Sequence, residues 1–328
     1  MSASAPIALI TGVEGQDGWY LSQLLKSEGF EVHGTVHREP NIGDETVEQL
    51  IANRVGVHIA DVVDGDRMRM LFDAVRPDHV FHLAGVSSVA RSWEDPVGTT
   101  RTNSMGTAVA VAEALRFQEV SGKPVTFVNA SSAEVFAGSG RVPIDETAPI
   151  APITPYGASK ALGHTLCVAY RAKGLAASNV ILFNHESPKR PNTFVTGRIA
   201  ETVARIGAGS PETLSLGNLS AQRDWGWAPD YVDAMRRVAL TGRGEDYVVA
   251  TGTLHSVADF VAAAFASVGI EDWAERVEVA DNLGRPNDAA VLVGDSTRLR
   301  TELNWAPTRT FEQIVESMVN HYAQKEMA

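Results

Sequence analysis

The chain has 328 residues, 44% of them hydrophobic and 21% charged, with a formal net charge of -12. That length suits one large α/β unit with an appendage, or about two domains, and no apolar run is long enough to span a bilayer. The negative charge argues against nucleic acid and against an anionic membrane surface as partners, while the lone Cys167 excludes an intrachain disulfide framework and fits a cytoplasmic enzyme.

Met1 to Ala5 lack the basic and apolar segments of a signal peptide. Pro6 to Ile10 is a short apolar run that reads as a buried strand ending at Thr11-Gly12. Gly12-Val13-Glu14-Gly15-Gln16-Asp17-Gly18 follows, then an amphipathic helix from Trp19 to Ser27, a stop at Gly29 and a second strand over Glu31–Val36. Strand, glycine turn, helix, strand is a βαβ unit. Further strands are predicted at Val57–Ala60, His79–Leu83, Val125–Ala130 and Ser178–Phe183, with helices at Gly65–Val75, Thr99–Phe117 and Tyr156–Lys173 between them. The rhythm specifies an α/β fold with a doubly wound, mostly parallel Rossmann sheet. Beyond Phe183, Pro188, Pro191, Gly207, Gly209, Pro211, Gly217 and Pro229 punctuate a looser stretch, read as a smaller, discontinuous substrate-binding region. Tyr247–Ala250 reads as a strand returning to the sheet, Ser256 as the cap of a helix over Val257–Val268, and Phe311–Ala323 as the last helix. The expected division is 1–183 with 245–268 for the dinucleotide unit, and 184–244 with 269–328 for the substrate region.

The glycine triplet Gly12, Gly15 and Gly18 opens a helix after a strand, the arrangement in which backbone amides hold a pyrophosphate. No carboxylate occupies the end of the second strand, so Arg38 is read as a partner for a ribose 2′-phosphate, favouring NADP over NAD; a solvated surface arginine is the plain alternative. Asp61-Val62 either contacts adenine or caps a helix. Ser132, Glu134, Tyr156 and Lys160 form the catalytic set. Tyr156 and Lys160 are four apart and share a helix face, so the ammonium is expected to lower the phenol pKa and make Tyr156 a base. Glu134 is one carboxylate more than alcohol oxidation requires, which points to a second proton transfer. Asn103 either joins a proton relay or bonds a helix backbone. Cys167 is read as a buried structural thiol, no metal site is read from the histidine spacing, and Trp225 or Trp227 as a wall of the sugar pocket.

Longer strings carry a family resemblance: Gly15-Gln16-Asp17-Gly18, Phe183-Asn184-His185-Glu186-Ser187-Pro188, Phe194-Val195-Thr196, Gly217-Asn218-Leu219, Arg223-Asp224-Trp225-Gly226 and Ala250-Thr251-Gly252. Along nearly its whole length the chain resembles the GDP-mannose 4,6-dehydratases, extended short-chain dehydrogenases/reductases. The resemblance implies a lyase that returns its NADP (or NAD) unchanged. It gives Ser132, Glu134, Tyr156 and Lys160 the catalytic roles, with serine where threonine is usual. It adds Gln16, Asp17, Leu83, Ala84 and His185 to the cofactor residues. It implies Ser87, Asn184, Lys189, Thr193, Val195, Arg198, Leu216, Gly217, Arg223, Arg285 and Asp288 around a GDP-hexose, most simply GDP-mannose. His37 replaces one of two usual arginines and an acidic stretch, Glu39 to Glu48, replaces a basic loop, so a homodimer is expected rather than a tetramer. Ser88 and Trp227 stand where histidines are usual. A dehydratase, epimerase or ketoreductase acting on another nucleotide sugar is the alternative activity.

Overall fold

The computed structural model describes residues 4–39, 41, 43–280 and 291–326. Its first half alternates as the sequence predicts: β1 (Ile7–Thr11), α1 (Gln16–Ser27), β2 (Glu31–Val36), α2 (Glu45–Ala52), β3 (Gly56–Ile59), α3 (Gly65–Val75) and β4 (His79–His82). After the short helices α4 (Val89–Glu94) and α5 (Pro96–Thr100) come α6 (Gly106–Ser121), β5 (Thr126–Ser132), α7 (Pro155–Arg171) and β6 (Ala176–Leu182). The strands are apolar because helices cover both faces of the sheet; Ala8, Leu9 and Ile10 of β1 are fully buried.

The remaining elements are β7 (Asn184–Glu186), α8 (Val195–Gly207), β8 (Leu214–Leu216), β9 (Gln222–Arg223), β10 (Trp225–Trp227), α9 (Ala228–Thr241), β11 (Tyr247–Val249), β12 (His255–Ser256), α10 (Val257–Ser267), β13 (Val277–Val279), β14 (Val291–Leu292), α11 (Thr297–Leu303) and α12 (Phe311–Glu326). One seven-stranded sheet has the order β11-β6-β5-β4-β1-β2-β3, and its neighbours pair in parallel. From the adjoining β1 and β4 the chain winds outward in opposite directions, so a crevice opens at their carboxyl ends, where such sheets bind ligands.

Three expectations change. The helix predicted over Thr99–Phe117 is interrupted by a π-helical turn at Arg101–Met105, which periodicity does not reveal. The punctuated stretch contains one full helix, α8, and ends in the first turn of a second, α9. Pro229 sits in the first turn of α9, where a proline costs no hydrogen bond, and Gly197 of α8 lies where a Cβ would come within 2.5 Å of the Pro191 carbonyl. The acidic stretch leads into α2, capped by Asp44, which accepts from the Val47 amide at 3.2 Å.

Three apolar clusters form among the described residues, and two of them place the elements that follow β6. The first, around the sheet, takes in α9 (Tyr231, Val232, Met235) and Leu299 and Trp305. The second joins α8, α10 and α12 through Ile199, Phe260, Val261, Phe311 and Met318. Both α9 and α10 thus pack on the opposite side from the division the sequence suggested. Linear order cannot show which sheet face a helix returns to.

Candidate functional site

The crevice floor is built by the turn after β1. Gly12 has φ +71°, and a Cβ there would lie 2.9 Å from Ala84 Cα; one on Gly18 would lie 2.5 Å from the Gly12 carbonyl. Gly15 is the N-cap of α1 and brings no side chain to its first amides, which leaves them directed at the crevice. Thr11 Oγ1 accepts from the amides of Leu83 (3.1 Å) and Ala84 (3.2 Å) and meets His82 Nδ1 at 2.9 Å, which ties the ends of β1 and β4 together. Burial, reinforced by the Lys160 charge, pushes His82 down to about 3, so it stays neutral. A dinucleotide pyrophosphate fits this cradle because side chains are missing where its phosphates would lie. At the cradle's edge Arg38 is exposed, and Glu14 meets His37 Nδ1 at 3.2 Å. Asp61 accepts from the Val63 amide at 3.3 Å and lies 3.8 Å from Arg101, while Val62 is buried.

The catalytic candidates come together at the ends of β5 and α7. Ser132 ends β5 and caps a 3₁₀ turn, Ala133–Phe136, accepting from the Glu134 amide at 3.3 Å. Helix α7 starts with Thr154 as cap, accepting from the Gly157 amide at 3.0 Å, and Pro155 in its first turn. A Cβ on Gly157 would lie 2.6 Å from the Glu134 carbonyl, so this glycine lets the helix bearing Tyr156 lie against the turn bearing Glu134. Tyr156 is buried. Burial pushes its phenol up to about 12; the hydrogen bond to Ser132 opposes this, the Glu134 charge adds to it, and the Arg190 charge opposes it again.

The expected effect of Lys160 is therefore corrected. Its ammonium donates to the Ala130 carbonyl at 2.9 Å, and burial brings its pKa down to about 8, with the Asp17 charge opposing. In a buried pocket, desolvation of the phenolate outweighs any gain from a lysine directed at the strand. Asn103 lies in the π turn. Its Oδ1 accepts from the Val86 amide at 2.7 Å, and its Nδ2 donates to the Val86 carbonyl (3.0 Å) and Ser159 Oγ (2.9 Å). It clamps the loop after β4 to α7, a partner neither sequence alternative named.

The two most specific strings meet each other. The Asp17 carboxylate lies 2.9 Å from His185 Nε2, whose Nδ1 donates to the Phe183 carbonyl at 2.7 Å. Gln16 donates to the His185 carbonyl at 3.2 Å and accepts from Ser187 at 2.7 Å. Burial alone would raise Asp17, but the His185 charge and hydrogen bond hold it below its ordinary value. Burial would lower His185, and Asp17 holds it raised. Lys189 lies 4.2 Å from the centre of the Trp19 ring. Arg190, which the sequence reading passed over for Lys189, stacks 3.8 Å over Phe194, lies 3.2 Å from Glu186, and is the cation whose field reaches both Tyr156 and Asp17. Its place next to Lys189, just after the Phe183–Pro188 string, was the available signal.

Around the outer crevice, Ser87 and Thr193 are exposed, and Asn184, Val195 and Gly217 are partly buried. Arg198 has a buried Nε without a hydrogen bond, and Arg223 is buried with Nη1 donating to the Gln222 carbonyl at 2.7 Å. Leu216 packs inside the second cluster. Arg285 and Asp288 lie outside the described residues. Trp225 is buried against Phe260 and Phe311, whereas Trp227 carries the Arg309 guanidinium 4.0 Å above its ring. Cys167 is buried, its thiol pushed up to about 12 by burial. Asp224 was quoted only as part of a string. It accepts from the Thr251 amide and hydroxyl and the Gly252 amide at 2.6–2.8 Å, and from Gly294 at 3.3 Å.

The family model described as GDP-mannose 4,6 dehydratase matches residues 9–318. GDP-mannose 4,6 dehydratase 2 of Arabidopsis thaliana is 41% identical over 323 residues, 96% of this chain and 86% of that protein. The human GDP-mannose 4,6 dehydratase is 36% identical over 338 residues, 96% of this chain and 90% of that protein. Among solved structures, a Thermus thermophilus UDP-glucose 4-epimerase in complex with NAD superposes with TM-score 0.82 at 26% identity, over 96% of this chain and 98% of that one. With the glycine cradle, the Ser132–Glu134 turn and the Tyr156/Lys160 helix in one crevice, these matches show that the chain belongs to the GDP-mannose 4,6-dehydratase family.

Proposed function

We propose that the chain removes water from a GDP-hexose, GDP-mannose foremost, by 4,6-dehydration. The observation that carries the reading is Glu134, placed two residues after Ser132 and close enough for its charge to bear on Tyr156. Tyr156 takes the proton of the sugar 4-hydroxyl, and Ser132 hydrogen-bonds the 4-oxygen. The 4-ketone acidifies C5; Glu134 takes the C5 proton and delivers one to the 6-hydroxyl, which leaves as water. A bound nicotinamide supplies a reversible hydride store between C4 and C6, so it is not consumed. Gly12, Gln16 and Gly18 would hold its pyrophosphate, and Lys160 its ribose. Whether the adenosine ribose carries a 2′-phosphate turns on two residues of opposite sign, Arg38 and Glu14. Arg198, Arg223 and Lys189 are the cations offered to the GDP diphosphate.

The test is incubation with GDP-mannose and catalytic NAD or, separately, NADP. Dehydration gives a product lighter by one water. A product of unchanged mass would indicate an epimerase, and stoichiometric loss of reduced cofactor a ketoreductase. A homodimer through α6 and α7 fits the exposed side chains of Ala158, Leu162, Val168 and Ala169 on one helix and Met105 beside it. Ala110 and Ala114 instead face the protein interior. Light scattering giving a monomer mass would reject the dimer.

A further inference from the structure

We propose that Glu14 is the specificity residue of the dinucleotide site: it receives the adenosine ribose hydroxyls and excludes a ribose 2′-phosphate, so that the chain takes NAD in preference to NADP. The inference rests on the dinucleotide reading of the glycine turn. In a doubly wound sheet the pyrophosphate lies on the first helix, and the adenosine ribose reaches the end of the second strand, where a carboxylate accepts from its free hydroxyls. Strand β2 ends in Thr35-Val36, followed by His37, and offers no carboxylate there, which is why the sequence pointed towards a 2′-phosphate.

The fold provides the carboxylate from a different element. The amides of Gly12 and Val13 both bond the Thr35 carbonyl at 3.1 Å, which draws the turn after β1 against the end of β2. Glu14 follows directly, and its Oε1 lies 3.2 Å from His37 Nδ1, with the two side chains 33% and 65% exposed. The carboxylate is thus held at the β2 end by the ring of the residue just past that strand, yet remains open on its solvent side. Two ribose hydroxyls can donate to such a group. A 2′-phosphate, carrying roughly -1.5 to -2 charges at neutral pH, would instead bring anion against anion.

The competing cations do not reverse the sign. The His37 nitrogen that faces the site is engaged with Glu14. Arg38 is exposed and is followed at once by Glu39, and the next helix begins Asp44-Glu45. A solvent-exposed guanidinium contributes less than a carboxylate held in place.

The full-length protein is denatured and its released nucleotide identified by mass. Protein stripped of nucleotide is then titrated with NADH and with NADPH, following nicotinamide fluorescence. We expect NAD in the released fraction and NADH bound tighter by about tenfold or more, the effect of one unfavourable charge contact. Glu14→Gln should narrow or reverse the ratio by strengthening NADPH binding and weakening NADH binding severalfold. Equal or tighter NADPH binding by the unaltered protein, NADP in the released fraction, or an unchanged ratio in Glu14→Gln would each overturn the inference while leaving the dinucleotide reading intact. Binding of neither nucleotide would overturn both. The wild-type ratio decides the question even if the variant does not fold.

Discussion

Tyr156 and Glu134 are coupled by charge: the Glu134 carboxylate favours the protonated phenol, because a phenolate beside it would set two negative charges together. Glu134→Gln should leave GDP-mannose affinity within severalfold but cut release of the dehydrated product by about 10²–10⁴, the usual weight of one proton-transfer group. The same substitution removes a charge that raises the Tyr156 pKa. Hydride transfer on mixing with substrate, followed by nicotinamide absorbance, should therefore become less dependent on alkaline pH. Retention of near wild-type product formation would rule out the role given to Glu134. The Asp17–His185 pair makes a separate prediction. His185, held above its ordinary 6.5, contributes stability fully below that pH and loses it as pH rises through the raised value. Asp17, held below 3.8, contributes fully above that pH and loses it as pH falls through the lowered value. The pair therefore stabilises most between pH 3.8 and 6.5. Asp17→Asn should cost about 1.5–3 kcal/mol there, the weight of a charge-assisted hydrogen bond in a partly buried pair; urea unfolding across pH measures it.

At the scale of elements, the active geometry depends on two backbone irregularities. The π turn before α6 aims Asn103 at Val86 and Ser104 at the Ser159 carbonyl, 3.0 Å away, which joins the loop after β4 to α7. Asn103→Ala would leave the Val86 amide and carbonyl without these partners, a loss of about 1–3 kcal/mol visible as a lower thermal midpoint. The second irregularity is the close pass of α7 over the Glu134 turn. Gly157→Ala puts a methyl where 2.6 Å separates it from the Glu134 carbonyl, so one element must move. Shifts of this kind, on the order of 1 Å, lower rates by about 10²-fold. We expect kcat to fall far more than KM rises, with thermal stability down by about 1–3 kcal/mol. Wild-type kcat in this variant would show that the two elements are not coupled.

For the molecule as a whole, the second cluster is locked to the sheet through Asp224, which is fully buried and joins the segment before β10 to the residues after β11. Burial raises its pKa, against four donors that lower it. Asp224→Asn replaces an acceptor of four bonds by an amide that must donate as well. A loss of about 2–4 kcal/mol is expected from the unpaired amides it leaves, read as a lower urea midpoint at unchanged slope. Loss of the midpoint with an altered slope would instead mean that the two clusters unfold separately.

The sequence by itself determined the alternation of buried strands and helices, the glycine turn, and the shared face of Tyr156 and Lys160, because each follows from a local period or a missing side chain. It also placed Glu134 beside Ser132, since two residues cannot stray far apart. Tertiary structure alone decided what those groups experience. Lys160 turns to Ala130, Tyr156 is pushed up rather than down, and α9, opened by Pro229, returns to the sheet. Asp17 finds His185 across 168 residues, and Glu14 meets His37 just past the end of β2. Burial and electrostatic fields sum over atoms distant along the chain, and no local pattern encodes which atoms those will be.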